Sequence, residues 1–315
     1  MNNFNKVQLV TVEDDMAGQR IDNFLMARLK GVPRSLVYRI IRKGEVRVNK
    51  KRIKPEYKLQ AQDAVRIPPV KVPEKDEVTI SSAGLNKIQQ LEKHIIFEND
   101  RVMVINKPSG MAVHGGSGLS FGVIEAMRQL RPQSKFMELV HRLDKDTSGC
   151  LLIAKKRSAL RFLHEQLRNK KLYKEYVALV DGRWPKRTRV VDAPLDKNHL
   201  RSGERIVRVS EAGKPSQTEF SIEQNFARAT LVKAMPITGR THQIRVHAQF
   251  AGCPLAGDPK YGNEEFDQFL KATYGFKRLF LHARQLSFKD APDGKKITVK
   301  AEYDDALANL LSALD

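Results

Sequence analysis

Cysteine, tryptophan and long apolar stretches are all scarce in this chain of 315 residues. The two cysteines, Cys150 and Cys253, are too few for a disulfide framework or a thiol-rich zinc site. The first fifteen residues contain no basic region followed by an apolar run, and no apolar run elsewhere is long enough to span a bilayer. The sequence therefore predicts a reduced, soluble, cytoplasmic protein with no membrane partner.

Acidic residues are also in short supply. The chain has 56 Lys and Arg against 36 Asp and Glu, a formal net charge of +20. Its length and its 41% apolar content suffice for a buried core, which excludes a wholly disordered or fibrous chain. The cationic excess predicts a polyanionic partner, either nucleic acid or an acidic membrane face. Nucleic acid is favoured because the charge is not laid out along one long amphipathic helix.

More than half of the excess charge lies between Gly18 and Val72, where 15 Lys and Arg stand against 4 Asp and Glu. Apolar residues at helical spacing predict two short helices, one ending at Gly31 and one running from Pro33 to Gly44. A short strand pattern around an Asn49-Lys50 turn predicts a hairpin. The alternative to a phosphate-binding surface is a solvated basic face. The candidate phosphate-binding residues are Arg34, Arg39, Arg42, Lys43, Lys50, Lys51 and Arg52.

Proline-rich and polar residues between 68 and 90 predict a linker. The expected organisation is an N-terminal tail (1–17), a small basic domain (18–80), a linker (81–93) and a larger domain (94–315). Strand and helix patterns in the larger domain do not alternate regularly, which predicts an α+β fold rich in antiparallel sheet. Its predicted strands cover 95–97, 102–105, 150–154, 173–180, 220–222 and 231–234, and its predicted helices begin at Phe121 after a Ser120 cap and cover 158–169 and 241–251.

The densest polar cluster runs from His141 to Gly149, between two apolar strand patterns. This position predicts a loop on a rigid scaffold, where working residues are often found. Asp144 stands between Arg142 and Lys145, whose charges favour an ionised carboxylate. An ionised and positioned carboxylate can act as a nucleophile. From the residue pattern alone, a turn whose side chains bond the local backbone is an equal alternative.

Two further segments have the composition of ligand-binding loops. Gly239–His247 combines cationic side chains with the start of a predicted helix, a combination that suits phosphate. The glycine-rich loop His114–Gly118 would let backbone approach a ligand closely, although it lacks the Walker spacing. A basic helix face and a simple turn are the respective alternatives.

Metal ligation is a weaker interpretation of the same residues. Asp144 and Asp146, near His141, could bind Mg²⁺. His242 and His247 are five residues apart and do not share a helix face, so a zinc site is disfavoured.

The nine residues His141–Gly149 resemble the signature of the RluA family of pseudouridine synthases. The family's other motifs follow in the same order, and the similarity covers about Gly18 to Phe288. The basic N-terminal domain resembles the alpha-L RNA-binding domain of ribosomal protein S-four. The motifs are most similar to those of members that modify large-subunit ribosomal RNA. The further matching segments are Asn106–Gly110, His114–Gly116, Lys171–Tyr176, Gly239–His247, Pro254–Asp258 and Tyr261-Gly262.

This resemblance implies an α+β catalytic domain with a bent, mixed, largely antiparallel sheet and a central cleft, preceded by the alpha-L domain. It also implies an isomerase that detaches uracil from ribose, rotates the base and rejoins it through carbon 5. Members of the family need no cofactor and no metal. The implied partner is large-subunit ribosomal RNA, free or in pre-ribosomal particles, and the implied state is a monomer.

The resemblance also implies roles for single residues. Asp144 matches the catalytic aspartate, which either attacks the anomeric carbon or acts through a glycal formed by proton loss. Tyr173 matches the tyrosine that stacks on uracil and helps to remove the carbon-5 proton. Arg245 matches the residue that pairs with the aspartate and keeps it anionic. Arg142 matches an arginine that takes the place of the flipped base. The expected substrate-binding residues are Arg142, His114, Arg240, His242 and Lys107.

Two other functions fit the composition. A ribosome-assembly factor would bind RNA without chemistry, and would tolerate Asp144→Asn. A metal-dependent phosphoryl-transfer enzyme or nuclease would be stopped by chelator and would cut RNA strands. A synthase would be insensitive to chelator and would leave RNA strands intact.

Overall fold

The chain divides into two compact units, residues 1–80 and 81–315. The computed structural model describes residues 6–29, 31–70, 89–115, 122–134, 136–199 and 205–314. Most of the predicted linker, and the loop residues 116–121 with the proposed Ser120 cap, lie outside these ranges. The last linker residues are described, and 89–92 are helical.

The first unit is a small four-stranded antiparallel sheet with two helices. The sheet order is β1-β4-β2-β3, and β1 pairs with β4 from Gln8↔Ile67 to Thr11↔Ala64. Residues 8–11, expected to belong to a tail, are therefore an edge strand of this sheet. The elements are β1 (Gln8–Thr11), α1 (Ile21–Arg28), α2 (Arg34–Arg42), β2 (Arg47–Val48), β3 (Lys51–Arg52) and β4 (Ala64–Ile67).

The two predicted helices and the hairpin of this unit are confirmed. Pro33 stands just before α2, and Gly44 follows it with φ +72°, a left-handed conformation that glycine adopts without strain. Asn49 and Lys50 both have positive φ, as a tight two-residue hairpin turn requires. The apolar stripes of both helices are buried against the sheet. The core includes Ile21, Phe24, Leu25, Val37, Ile40, Ile41, Val48 and Val65.

The second unit is built on one long sheet in the strand order β10-β13-β14-β9-β15-β8-β6-β5. Every pair is antiparallel except β15 with β8, so the expected mixed, largely antiparallel sheet is confirmed. A separate hairpin joins β11 to β12. The strands are β5 (Ile95–Glu98), β6 (Val102–Lys107), β7 (Glu138–Leu139), β8 (Ser148–Ala154), β9 (Tyr173–Asp181), β10 (Val190–Asp192), β11 (Leu195–His199), β12 (Arg205–Val209), β13 (Gln217–Asn225), β14 (Ala229–Pro236), β15 (Leu281–Phe288) and β16 (Ile297–Lys300).

The parallel contact explains a glycine of the signature. Gly149 lies in β8, opposite Ala283 of β15, and has φ +105°. A Cβ added to Gly149 would lie 2.3 Å from the Ala283 carbonyl oxygen, so only glycine fits. Ser148 and Gly149 thus belong to a strand, whereas the sequence pattern placed them in the loop.

Helices pack against this sheet: α3 (Val123–Leu130), α4 (Arg157–Arg168), α5 (Gln243–Phe250), α6 (Glu264–Tyr274) and α7 (Asp305–Leu314). Helices α3 and α5 each begin two residues later than predicted. Gly122 caps α3 in an extended conformation, and a left-handed His242 precedes α5. None of the helices in the described ranges is both long and apolar enough to cross a membrane.

Candidate active site

The signature loop connects two strands that pair with each other, β7 and β8. Its backbone is fixed from outside by the segment that follows β6. The Lys107 ammonium donates to the Lys145 carbonyl at 2.9 Å, and the Ser109 hydroxyl donates to the Asp146 carbonyl at 2.7 Å. The predicted loop on a rigid scaffold is therefore present, with Asp144 next to the braced residues.

Lys107 braces the loop, whereas the sequence assigned it to substrate. Its side chain is fully buried, and its three N–H groups go to the carbonyls of Pro108, Met111 and Lys145 at 2.8–2.9 Å. Burial lowers the pKa of Lys107 to about 7, although the charge of Asp146 opposes the shift. With its donors occupied by backbone, Lys107 is a positioning residue for the loop.

His141 is a further structural element of the loop. Its Nε2 accepts a hydrogen bond from the Leu152 amide at 3.1 Å, which requires that nitrogen to be unprotonated. Burial, assisted by the charge of Lys174, lowers the pKa of His141 to about 4. The imidazole is thus neutral and engaged with backbone. No cluster of His, Cys, Asp and Glu suited to a metal ion occurs in the described part of the chain.

Asp144 is held by Arg245. The Arg245 Nη1 lies 3.3 Å from Asp144 Oδ2, and the Asp144 side chain is 30% exposed. The other two guanidinium nitrogens are bound by the buried Asp258, at 2.7 Å to Oδ2 and 2.6 Å to Oδ1. Burial alone would lower the pKa of Arg245, but Asp258 and Asp144 raise it above its usual value. A permanent, oriented cation therefore stands beside a carboxylate that solvent can reach.

His242 approaches the same carboxylate from the start of α5. Its Nε2 is 3.9 Å from Asp144 Oδ2, and its Nδ1 is 2.7 Å from the Tyr261 hydroxyl. The Tyr261 oxygen also accepts the Val207 amide at 3.0 Å, which fixes the ring. Burial lowers the pKa of His242, while the charge of Asp144 opposes the shift. The left-handed backbone at His242, with φ 53°, aims the ring at Asp144.

Gln243 organises the loop that precedes α5. Its Oε1 accepts bonds from the Thr238 hydroxyl at 2.6 Å and the Arg240 amide at 3.0 Å. Its Nε2 donates to the Gln217 carbonyl and the Thr218 hydroxyl, both at 2.9 Å. The Arg240 side chain is exposed, and its Nε donates to the Pro215 carbonyl. Arg240 is thus solvent-exposed, as a substrate contact would be, with its Nε held by backbone.

Tyr173 does not lie where the sequence predicts. Its hydroxyl donates to Glu175 at 2.5 Å and approaches the Met235 sulfur at 3.3 Å. Burial and the Glu175 hydrogen bond raise the pKa of Tyr173 to about 12. Glu175 is in turn paired with Arg284 at 2.8 Å. These partners form a polar network that does not include Asp144.

The tyrosine that faces Asp144 is Tyr176. Successive side chains of a strand point to opposite faces, so residues 173 and 176 of β9 project from different faces. Burial, followed by the charge of Asp144, raises the pKa of Tyr176 above its usual value. The ring is 8% exposed, at the wall of the site. Lys174, on the same face as Tyr176, is half-buried, and its charge acts on His141 of the signature loop, which agrees with this geometry.

Arg142 and His114 are both exposed, as substrate contacts would be. Arg142 follows His141 in the signature loop. His114 lies at the end of the described part of the glycine-rich loop, whose two described ends are joined by one carboxylate. Glu125 accepts the Gly115 amide at 3.0 Å and the Gly122 amide at 3.1 Å. The loop is thereby closed at its base.

In the first unit, all seven predicted phosphate-binding residues are exposed. None of them forms an ion pair with a carboxylate among residues 6–29, 31–70 or the other described ranges. Lys51 and Arg52 line a cleft of about 590 Å³ together with Lys54. This surface remains cationic and open, which suits a polyanionic ligand.

Sequence reasoning missed three residues of the site: Tyr176, Asp258 and Tyr261. All three lie inside motifs that the resemblance identified, but the sequence did not indicate their roles in the site. Strand alternation separates Tyr176 from Tyr173, but only the sheet shows which face meets Asp144.

Comparisons with known proteins match a family to each of the two units. The RNA pseudouridylate synthase family matches residues 101–250, and the S4 domain family matches residues 19–65. The chain is 62% identical over 308 residues to ribosomal large subunit pseudouridine synthase C of Pasteurella multocida, covering 98% of this chain and 94% of that protein. The corresponding figures for the synthase C of Escherichia coli K12 are 60% over 309 residues, 98% and 97%.

A solved structure shares the fold of the second unit's family. Human RNA pseudouridylate synthase domain containing 4 superposes with a TM-score of 0.60 at 26% identity, covering 74% of this chain and 97% of that one. Identity above 60% along nearly the whole chain, together with the family match over the Asp144 site, settles the assignment. The chain belongs to the RNA pseudouridylate synthase family, whose members isomerise uridine to pseudouridine.

Proposed function

We propose that this enzyme isomerises uridines of large-subunit ribosomal RNA, with Asp144 as the catalytic carboxylate. The substrate class is supported by the names of the full-length relatives and by the RNA-binding domain that precedes the catalytic unit. The main support for Asp144 as the catalytic residue is its position. Its carboxylate is open to solvent on one side and is held on the other by an arginine with a buried counter-ion.

The isomerisation breaks the bond between uracil N1 and ribose C1′ and forms a bond between C5 and C1′. The proton on C5 is lost to solvent and N1 gains one, so no external oxidant or reductant is needed. Asp144 serves either as a nucleophile at C1′ or as the base that starts glycal formation. Both routes need a carboxylate beside the sugar, and Arg245 Nη1 lies 3.3 Å from the Asp144 oxygen that would act there.

The other site residues would orient and assist. Arg245, fixed by Asp258, holds the Asp144 carboxylate in one position. Tyr176 takes the role that the sequence assigned to Tyr173, because its ring lies on the Asp144 face of β9. Its ring would stack on the base, and its hydroxyl, whose pKa burial raises, stays protonated near neutral pH and can donate a hydrogen bond.

The target base must leave its stack to reach Asp144, at a cost of a few kcal/mol. The exposed Arg142 is placed to fill the gap that the base leaves. Phosphate contacts from the open cationic surface of the first unit would offset the cost. A monomer, a cytoplasmic location and action on free RNA or pre-ribosomal particles stay predictions of the family resemblance.

The test is tritium release from a large-subunit ribosomal RNA transcript labelled at carbon 5 of uridine. We expect release by the wild type in the presence of chelator, and none by Asp144→Asn, which keeps the size of the side chain. RNA binding by the variant serves as the control for folding. Release by Asp144→Asn would remove the carboxylate from the chemistry. A folded, RNA-binding wild type that releases nothing from RNA or from pre-ribosomal particles would favour an assembly factor.

A further inference from the structure

A second basic region lies in the catalytic unit, away from Asp144. Between Lys155 and Lys174 the chain has eight Lys and Arg and one acidic residue, Glu165. On α4, Arg157, Arg161 and Arg168 are spaced by four and seven residues, so they form one stripe along the helix. Lys170 and Lys171 continue this basic run beyond the end of the helix.

Part of this charge is neutralised and part is not. Lys155 and Lys156 pair with Glu98 and Asp100. Arg168, Lys170 and Lys171 are exposed, and within the described ranges none of these three forms an ion pair with a carboxylate. The uncompensated charge is therefore concentrated at the C-terminal end of α4.

Next to this end lies a groove of about 490 Å³, whose rim carries Lys171, Lys289 and Lys296. We call it the lysine groove. The three lysines are exposed, and no carboxylate in the described part of the chain pairs with Lys289 or Lys296. Asn169 adds an exposed amide to the lining, Gln166 is buried beneath it, and Glu165 is the acidic member. Hydrogen-bond donors thus dominate the rim.

The scaffold of the groove is rigid. Gln166 of α4 donates from Nε2 to the Lys289 carbonyl at 2.7 Å and accepts the Lys289 amide at Oε1 at 3.1 Å. This reciprocal pair joins the helix to the end of β15 and fixes the distance between the two sides. Tyr173 lines the groove, whereas Tyr176 faces Asp144, so the groove lies on the other face of β9 from the active site.

We infer that the lysine groove binds the phosphate backbone of a second segment of the substrate RNA, remote from the uridine that reacts. This rests on the proposed function. Ammonium groups clustered on a fixed backbone match phosphate oxygens, which accept hydrogen bonds and carry negative charge. A protein partner fits less well, because the aromatic residues of the lining, Phe162, Tyr173 and Phe288, are half-buried or buried and leave no fully exposed aromatic anchor.

The test compares two triple variants with the same loss of charge. Lys171→Gln, Lys289→Gln and Lys296→Gln remove the groove's ammonium groups. Lys186→Gln, Lys271→Gln and Lys277→Gln remove three exposed lysines elsewhere on the catalytic unit. For a long ribosomal RNA transcript, we expect the groove variant to raise the dissociation constant about tenfold or more. The plot of the log association constant against log salt should become less steep, with a slope smaller in magnitude by about 2 to 3. The control variant should change neither by more than about twofold.

A short oligonucleotide that carries only the reacting uridine separates the groove from the active site. Its affinity, and tritium release at saturating RNA, should be the same for the groove variant and the wild type. Replacing the three groove lysines by arginine keeps the charge and should keep the affinity for the long transcript. Equal losses in the groove and control variants would mean that net charge alone acts, which overturns the proposal, as does unchanged binding. If the wild type releases no tritium while the groove variant still binds RNA more weakly, the proposed function fails and the groove stands.

Discussion

Asp258 holds Arg245 by both carboxylate oxygens, at 2.7 Å to Nε and 2.6 Å to Nη2, and leaves Nη1 for Asp144. Two carboxylates thus share one guanidinium, and the one with no exposed surface forms the shorter bonds. The guanidinium carbon also lies 5.0 Å from the centre of the Tyr261 ring. Arg245 is consequently fixed in direction before substrate arrives.

Replacing Asp258 by alanine should therefore affect both stability and catalysis. The change leaves the buried Arg245 cation with Asp144 alone, and breaking a buried ion pair costs about 3–5 kcal/mol of unfolding free energy. The turnover number should fall because Arg245 no longer has a fixed position. Urea denaturation and tritium release measure the two effects. Asp293→Ala, at an exposed aspartate of the same unit, is the matched control and should be nearly neutral. An unchanged stability in Asp258→Ala would show that Arg245 has sufficient support elsewhere.

The two tyrosines of β9 give a paired prediction. Tyr176→Phe should lower the turnover number by about 10²-fold or more if its hydroxyl assists proton movement at carbon 5. Tyr173→Phe loses the hydrogen bond to Glu175 and the contact with the Met235 sulfur, and should cost about 1 kcal/mol of stability with little change in rate. Single-turnover kinetics on both variants, at saturating RNA, separates these outcomes. Full activity in Tyr176→Phe would limit that ring to stacking, and a large loss in Tyr173→Phe would restore the role the sequence assigned to it.

Lys107 predicts a pH dependence of stability. In the unfolded chain its pKa is the usual 10.5, while burial lowers it to about 7 in the folded protein. Between these values the unfolded chain binds more protons, so the free energy of unfolding rises with pH. Lys107→Met lacks this contribution, and the stability of the wild type should increase relative to the variant from about pH 7 to about pH 10. Parallel pH profiles of unfolding would instead mean that the three backbone carbonyls keep Lys107 protonated throughout.

The same variant tests the brace under Asp144. Methionine fills the space of lysine but donates no hydrogen bond, so the carbonyls of Pro108, Met111 and Lys145 lose a buried donor. We expect a lower turnover number with an unchanged dissociation constant for RNA. A weaker RNA affinity with normal turnover would return Lys107 to a substrate-binding role.

The cationic surface of the first unit gives a prediction on salt dependence. Arg34→Gln, Arg39→Gln and Arg42→Gln remove three exposed charges of α2 without changing its buried face. The affinity for ribosomal RNA should fall, and the plot of the log association constant against log salt should become less steep, by about 2 to 3 in slope. Binding titrations at several salt concentrations measure it. A wild-type slope in this variant would remove α2 from the phosphate contacts.

Much of the architecture could be predicted because it depends on local pattern. Helix stripes, the Gly44 stop and the Asn49-Lys50 turn follow from residue type, and the signature loop follows from polar residues between two apolar strands. The errors concern three-dimensional contacts. As a lysine in a matched motif, Lys107 was expected to bind substrate. The structure shows instead that it is buried under the loop and that all its N–H groups donate to backbone carbonyls. The start of α5 was placed early because a left-handed residue before a helix, as at His242, has no clear signal in the sequence. The start of α3 was placed early because an extended Gly122, which has no side chain to mark it, precedes the helix.

Tyr173 illustrates the same limit within one strand. Both tyrosines fit a strand pattern, and a shift of three residues exchanges the faces on which they lie. The face that meets Asp144 is decided by β15, which joins β9 to β8 in the sheet. Contacts across more than a hundred residues of chain therefore choose between the two.

The position of β15 also bears on when activity can arise during synthesis. Tyr176 and Asp144 belong to two halves of the sheet, and the strand that joins these halves is made of residues 281–288, more than a hundred residues after β9 begins. At about 5–20 residues per second, a growing chain spends roughly 5–20 s between completing β9 and completing β15. Throughout that interval the nascent protein holds an RNA-binding domain and half an active site, side by side with the ribosome that makes it. Catalytic competence therefore requires residues 281–288, so a nascent chain that stops before them can bind RNA but cannot modify it.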